Sequence, residues 1–262
     1  MYITRTPQTV QSMVKSVLWR VPSNGTKKEV FLTFDDGPHP HLTPWVIEQL
    51  KEHGDLKATF FCVGNQAAKH PEIVKSIRSA GHEVANHSQG HESGWSTTNK
   101  SYLSSYLACE EELGVTSRFR PPYGRITPNQ ARALSTRTQV VMWDVLSGDF
   151  DRSRSGGDCL KSLQKLTRPG SIVVFHDSEK AAPRLLFALP EYLKCLKKEG
   201  YAVQALPEKT ESFKSIKWNG GHSSQAKVGS RTVFKRVFFN FQKLHATSSV
   251  WISVHQFHAC SF

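Results

Sequence analysis

No two cysteines in this 262-residue chain stand close enough to form a Cys-x-x-Cys pair. The five that exist, Cys62, Cys109, Cys159, Cys195 and Cys260, are odd in number and widely spaced. That pattern speaks against a disulfide framework and against a zinc-thiolate site. No apolar run approaches the ~18 residues that a membrane span needs, so no transmembrane segment is predicted. The opening residues, Met1-Tyr2-Ile3-Thr4-Arg5, lack the charged-then-apolar layout of an export signal. A cytoplasmic location is the default expectation. Acidic residues are also missing, entirely, from 212 to 262.

What the chain does have is length for one large α/β domain, and too little for two comfortable ones. Its net charge is +12, and eight Lys/Arg against two Glu fall in 207–262. A basic balance suits an anionic partner such as nucleic acid or a membrane surface. The tail carries no recognised nucleic-acid module, however, and a solvated basic face accounts for the body.

Short apolar runs alternate with helical patterns between 28 and 206. Strands are predicted at 30–34, 58–63, 83–86, 117–120, 139–143, 171–175 and 201–205. Helices are predicted near 43–53, 71–80, 100–113, 128–136, 157–167 and 183–199. Pro71 opens one helix and Gly81 closes it; Thr127-Pro128 reads as an N-cap followed by proline at the first helical position. This alternation implies parallel pairing with right-handed crossovers. Val30–Phe34 and Ile172–Phe175 are continuous apolar runs, as strands buried on both faces should be. A closed or nearly closed barrel of about seven parallel strands follows.

The expected organisation is a lead-in (1–27), the barrel (28–206) and a basic tail (207–262) of uncertain fold. In the lead-in, Val10, Met13, Val14, Val17 and Leu18 recur at helical spacing, which predicts packing against the outside of the barrel. The tail admits three readings: an appended basic module, a disordered extension, or a stretch translated out of frame.

Asp35, His87, Arg120, Asp149 and His176 all fall at or just after the C-terminal end of a predicted strand, the face on which β/α barrels build their sites. Asp35-Asp36-Gly37 ends the apolar run Val30–Phe34. Two adjacent carboxylates there repel each other and cost desolvation energy, which a divalent cation offsets. His87 and His91 offer two imidazoles in a short polar segment. One carboxylate with two histidines makes a three-ligand metal site with room for water, and the other carboxylate stays free to act as a base. A tight turn alone explains Gly37 and Pro38 but not two acids after an apolar run. Arg120-Pro121-Pro122-Tyr123-Gly124 is a stiff segment whose Arg suits pairing with a carboxylate. His176 ends the run Val173-Val174-Phe175, where an imidazole can be tuned as an acid, with Asp149 or Asp177 as its supporting carboxylate.

Taken in order, Thr33-Phe34-Asp35-Asp36-Gly37, His87-Ser88-x-x-His91, Arg120-Pro121-Pro122-Tyr123 and Val174-Phe175-His176 resemble the successive signature motifs of the polysaccharide deacetylases, the NodB-like domains of carbohydrate esterase family four. The resemblance covers roughly 28–206. It implies a distorted (β/α) barrel and a divalent metal, zinc first, with Co2+, Ni2+, Mn2+ or Fe2+ also compatible. Under it Asp36, His87 and His91 are the metal ligands. Asp35 is the general base, steered by Arg120. Tyr123 gives a backbone N–H to the oxyanion, and His176 is the general acid supported by Asp149. Pro122, Tyr123, Trp143, Phe150 and Val174 line the substrate groove. The fourth motif departs from the family's Asp-x-x-Asp-Trp: here it is Leu146-Ser147-Gly148-Asp149-Phe150, with the second Asp kept.

The expected activity is metal-dependent removal of acetyl groups from N- or O-acetylated carbohydrate. The alternatives are a non-catalytic carbohydrate-binding barrel and a small-amide hydrolase of the same fold. A two-histidine, one-carboxylate triad also occurs in non-haem iron oxygenases, but that chemistry has no use for a second adjacent Asp.

Overall fold

The computed structural model describes residues 16–23 and 27–208. Among them are eight strands: β1 (Glu29–Asp35), β2 (Thr59–Cys62), β3 (Glu83–Asn86), β4 (Arg118–Phe119), β5 (Gln139–Val140), β6 (Val145–Leu146), β7 (Ile172–His176) and β8 (Ala202–Gln204). Seven helices connect them: α1 (Leu42–Glu52), α2 (Gly64–Lys69), α3 (Pro71–Ser79), α4 (Asn99–Leu113), α5 (Pro128–Leu134), α6 (Gly156–Leu166) and α7 (Ala182–Lys198). The strands form one sheet in the order β5-β4-β3-β2-β1-β7-β6, with β8 paired to the start of β1. Every pairing between named strands is parallel. The sheet is a distorted α/β barrel, as the strand–helix rhythm implies.

Two faces of β1 explain the layers. Val30, Leu32 and Phe34 point outward into a core shared with Val46 and Leu50 of α1 and with Leu185 and Tyr192 of α7. Phe34 lies between Phe60 at 5.0 Å and Phe175 at 5.9 Å, contacts that add about 0.5–1.5 kcal/mol each beyond simple burial. Phe31, Thr33 and Asp35 alternate to the inner face. Phe31 there joins Phe61, Ala85, Val141 and Ile172 in a second apolar cluster. That cluster plugs the barrel below the site, so the polar inner residues stand at one end.

The lead-in differs from its expectation. Leu18 belongs to the inner cluster, not to the barrel's outer surface. Its N–H donates to Val140 O at 2.9 Å and its carbonyl accepts from Met142 N at 2.8 Å; Val21 N donates to Gly170 O at 2.9 Å. The described part of the lead-in is extended at this point and bridges both Val141 and Ser171. Backbone groups along the open seam need partners, and this segment supplies them where the terminal strands are too short to do so. Val10, Met13, Val14 and the tail from 209 onward lie outside the described residues.

The helix ends follow local sequence. Thr127 caps α5 through a reciprocal bond with Gln130, with Pro128 in the first turn. Pro71 opens α3. Cys62, Cys109 and Cys159 are buried free thiols and Cys195 is a half-buried one. No helix of the described residues is long and apolar enough to cross a membrane.

Candidate active site

Five strands deliver the polar residues to one end of the barrel. Asp35 is the last residue of β1 and Asp36 follows it in the left-handed region, at φ 81°. Ser88, His91 and Tyr123 share that region, at φ 66°, 62° and 59°. A non-glycine residue there costs about 1–3 kcal/mol and persists only where its surroundings hold it. Four of the five such residues described, Asp55 being the fifth, cluster around this one place.

The loop carrying the histidines is pinned from beneath. Asn86 accepts from Ser88 N at 2.8 Å and donates to Tyr106 O at 3.0 Å. Ser105 on α4 accepts from Gln89 N at 2.9 Å and donates to Glu92 at 2.5 Å. His87 Nδ1 bonds to Arg120 O at 2.7 Å, which makes Nδ1 the protonated nitrogen and leaves the Nε2 lone pair free. Burial holds the His87 imidazole neutral by lowering its pKa to about 4.

His87 Nε2 lies 3.8 Å and His91 Nε2 3.2 Å from Asp36 Oδ1. One ligand atom from each of the three residues falls within 4.8 Å of the others. Burial works against the charge on Asp36, but the His91 hydrogen bond and the neighbouring imidazoles outweigh it and hold the carboxyl well below its ordinary range. A lone pair on His87 facing a carboxylate oxygen is an arrangement that a cation satisfies. The nitrogen and oxygen donors suit zinc and its first-row neighbours, so the residues present fit a divalent metal.

Asp35 sits beside this cluster, with its carboxylate in a different network. Arg120 Nη1 donates to Asp35 Oδ1 at 2.6 Å and to Thr33 Oγ1 at 2.7 Å, and Nη2 donates to Met142 O at 2.9 Å. The guanidinium is fully buried and stacks on Phe61 at 4.0 Å. Next to Asp35, across the β1–β7 pairing, His176 Nδ1 bonds to Asp149 Oδ1 at 2.8 Å, while Asp149 Oδ2 accepts from His176 N at 2.8 Å. Burial alone would lower the His176 pKa; the charge and hydrogen bond of Asp149, reinforced by Asp36 and Asp35, raise it instead to about 9. Arg184 Nε donates to Asp149 O at 2.8 Å and fixes that loop.

The sequence left Asp149 and Asp177 open as partners of His176. Successive strand-end residues point to opposite sides, and Asp177 turns away. It accepts from Gly37 N at 3.2 Å and from the Thr43 hydroxyl. This buried carboxylate beneath the Asp36 turn has no motif of its own, and neither does Thr43; their pairing across the chain left no local signal.

The groove residues divide. Tyr123 is exposed at 53% and its hydroxyl lies 3.1 Å from His91 Nδ1. Its turn is closed by Gly124 N to Pro121 O and Arg125 N to Pro122 O; the Tyr123 N–H lies outside both bonds. Trp143 packs across Gly124, where any Cβ would meet the indole. Phe150 stands edge-on to His176 at 5.2 Å. Pro122 and Val174 are buried, Val174 two residues below His176 on the same inner face.

Known proteins resemble this chain in both sequence and backbone. The family profile described as Polysaccharide deacetylase matches residues 23–141. A Bacillus cereus peptidoglycan-N-acetylglucosamine deacetylase is 33% identical over 198 residues, spanning 73% of this chain and 71% of that protein. An Azorhizobium caulinodans chitooligosaccharide deacetylase is 32% identical over 199 residues, spanning 69% of this chain and 94% of the relative. The crystal structure of a peptidoglycan N-acetylglucosamine deacetylase in complex with an N-oxidanyl-benzamide superposes with a TM-score of 0.69 at 32% identity, over 76% of this chain and 95% of that one. Matched over most of its barrel in sequence and in backbone alike, the chain belongs to the polysaccharide deacetylase family, the NodB-type domains of carbohydrate esterase family four.

Proposed function

We propose that this protein hydrolyses the acetamide of N-acetylated carbohydrate, with Asp36, His87 and His91 holding a divalent metal, Asp35 as base and His176 as acid. The observation that carries the reading is the placement of two separately supported groups, Asp35 on Arg120 and His176 on Asp149, next to each other across the β1–β7 pairing and beside Asp36 of the three-donor cluster. A metal held there supplies Lewis acidity toward a water and toward the acyl oxygen.

The chain's own groups do the rest. Asp35 takes a proton from the water whose oxygen bonds to the acyl carbon. Arg120 aims Asp35 through a fork also fixed on Thr33 and Met142 O, so the base does not swing away. The Tyr123 N–H donates to the developing oxyanion, a contribution of a few kcal/mol for such a donor. His176, protonated on both nitrogens below about pH 9, gives its Nε2 proton to the leaving nitrogen as the C–N bond breaks. Acetate and a free amine result. An amine leaves poorly unless protonated, which favours an amide over an ester as the substrate of a site with so strongly supported an imidazolium.

Zinc-loaded protein incubated with a panel of acetylated glycans should release acetate. Binding without any acetate release from the whole panel would favour the non-catalytic barrel. Release only from small acetamides would favour the small-amide hydrolase.

A further inference from the structure

We propose that Glu92 and Ser105 form a clasp that presents His91 to the metal, with Glu92 as a positioning residue; this rests on the metal-ligand part of the reading above. Of the two imidazoles, His91 is the more weakly held. His87 is buried and fixed by the Arg120 carbonyl, whereas the His91 side chain is 26% exposed and its Nδ1 faces the hydroxyl of exposed Tyr123. The His91 backbone lies in the left-handed region, at φ 62°, a conformation that its surroundings must hold.

The loop is anchored on both sides of that histidine. Before it, Ser88 O accepts from Gly64 N at 3.0 Å and Gln89 O from Asn65 N at 2.8 Å. After it, Gly94 N donates to Arg125 O at 3.1 Å and Gly94 O accepts from Gln130 Nε2 at 3.0 Å. Across 90–92, among the described residues, the hydrogen bonds to other elements come from two side chains: His91 on Tyr123, and Glu92 on Ser105 of α4. The Glu92 carboxylate also reaches back past His91 to accept from Gly90 N at 3.3 Å, which closes a short ring of bonds around the histidine. Ser105 has a firm seat. Tyr102 and Tyr106 share its helix face and pack edge-on to Phe119, and its hydroxyl also accepts from Gln89 N. A hydroxyl donating to a carboxylate at 2.5 Å is a charge-assisted bond, stronger than a neutral one. Gly90 completes the clasp. A Cβ there would stand 2.7 Å from Glu92 Oε1, so a side chain at 90 excludes the folded-back carboxylate. Gly90 is not in the left-handed region, so alanine strains no backbone there and displaces only the end of a flexible side chain.

The test measures three things: zinc affinity by chelator competition, the visible bands of the Co2+ form, which follow ligand geometry, and the melting temperature of the metal-free protein. Glu92→Ala and Ser105→Ala should each lower zinc affinity about tenfold or more, the scale for losing a supporting contact behind a ligand, and shift the Co2+ bands. Glu92→Gln keeps an oxygen that accepts from Ser105 and Gly90, and should recover most of the affinity. Gly90→Ala should act like Glu92→Ala on zinc and on the Co2+ bands, while the metal-free melting temperature stays near wild type. In the double variant Gly90→Ala/Glu92→Ala the two losses should not multiply, since both remove the same contact. Wild-type affinity in Glu92→Ala, losses that multiply in the double variant, or Glu92→Gln no better than Glu92→Ala overturns the proposal and leaves the metal assignment standing. Wild-type protein that binds zinc no better than His91→Ala removes the metal assignment, and the clasp with it.

Discussion

Asp35 and His176 are register partners: the last residue of β1 sits beside the last residue of β7 across one parallel pairing. Partner residues on adjacent strands leave the sheet on the same side, so a carboxylate and an imidazole from opposite ends of the sequence arrive together, with Asp36 beside them. If Asp35 is the base and His176 the acid, Asp35→Asn and His176→Ala should each lower turnover by at least ~100-fold. Zinc content, measured by elemental analysis, should stay near wild type, since neither is among the three donors. His87→Ala should do the opposite in order: metal is lost first and activity with it. Near wild-type turnover in metal-loaded Asp35→Asn would remove the base assignment.

The Asp149–His176 pair predicts the alkaline limb of the pH profile. The imidazole's pKa is raised to about 9 against an ordinary 6.5, burial being outweighed by the Asp149 charge and hydrogen bond. The imidazolium is therefore present at neutral pH and lost as pH rises through about 9; if His176 is the acid, kcat/KM should fall there. The same shift contributes stability that is full below about pH 6.5 and gone above about 9. Asp149→Asn removes the charge and leaves the burial, which by itself lowers the pKa. The limb should move to lower pH by more than one unit. An unmoved limb in that variant would show that another group titrates there.

How much of this was legible in the sequence depended on length and on locality. β1 and β7 are long apolar runs buried on both faces, and both stand out. β6 is two residues, Val145-Leu146, too short for any period; the predicted strand 139–143 instead breaks after Val140. α2 has six residues and follows β2 almost directly, so no 3.6-residue pattern could develop. The donors were legible because acids and histidines at strand ends have few structural uses. Their supports were not: Asp177 with Thr43, and Glu92 with Ser105, are pairs of ordinary polar residues that become meaningful only once the backbone brings them together. Leu18 misled because its spacing is helical while its backbone is needed at the barrel seam.

Arg120 should be worth more to stability than any exposed charge. It is fully buried and bonded to Asp35, Thr33 and Met142 O. Arg120→Met leaves Asp35 buried and unpaired, a loss of about 3–5 kcal/mol for a broken buried pair. The denaturant midpoint should fall accordingly with an unchanged slope. Arg120→Lys keeps the charge and loses the fork geometry. It should recover most of the stability while turnover stays depressed, since the aim of Asp35 and not its neighbourhood is what the fork fixes. Full activity in Arg120→Lys would mean that Asp35 needs only a nearby positive charge.

The turn under Asp36 predicts an effect on metal binding at a residue that binds no metal. Gly37 N donates to Asp177 at 3.2 Å, and a Cβ on Gly37 would overlap the Asp177 carboxylate. That carboxylate is buried against α1, where the Thr43 hydroxyl also bonds it, so neither side can yield without moving the other. Gly37→Ala must therefore shift the turn, and Asp36, at φ 81°, is the residue it carries. The expected result is a zinc affinity lowered tenfold or more, the scale seen when a supporting contact behind a ligand is lost. Asp177→Ala relieves the overlap, so the double variant should recover part of the affinity lost in Gly37→Ala. Competition with a zinc chelator reads this without any assay of turnover. If Gly37→Ala binds zinc like wild type, the turn is not what places Asp36; if the double variant is no better than the single, the clash with Asp177 is not the cause.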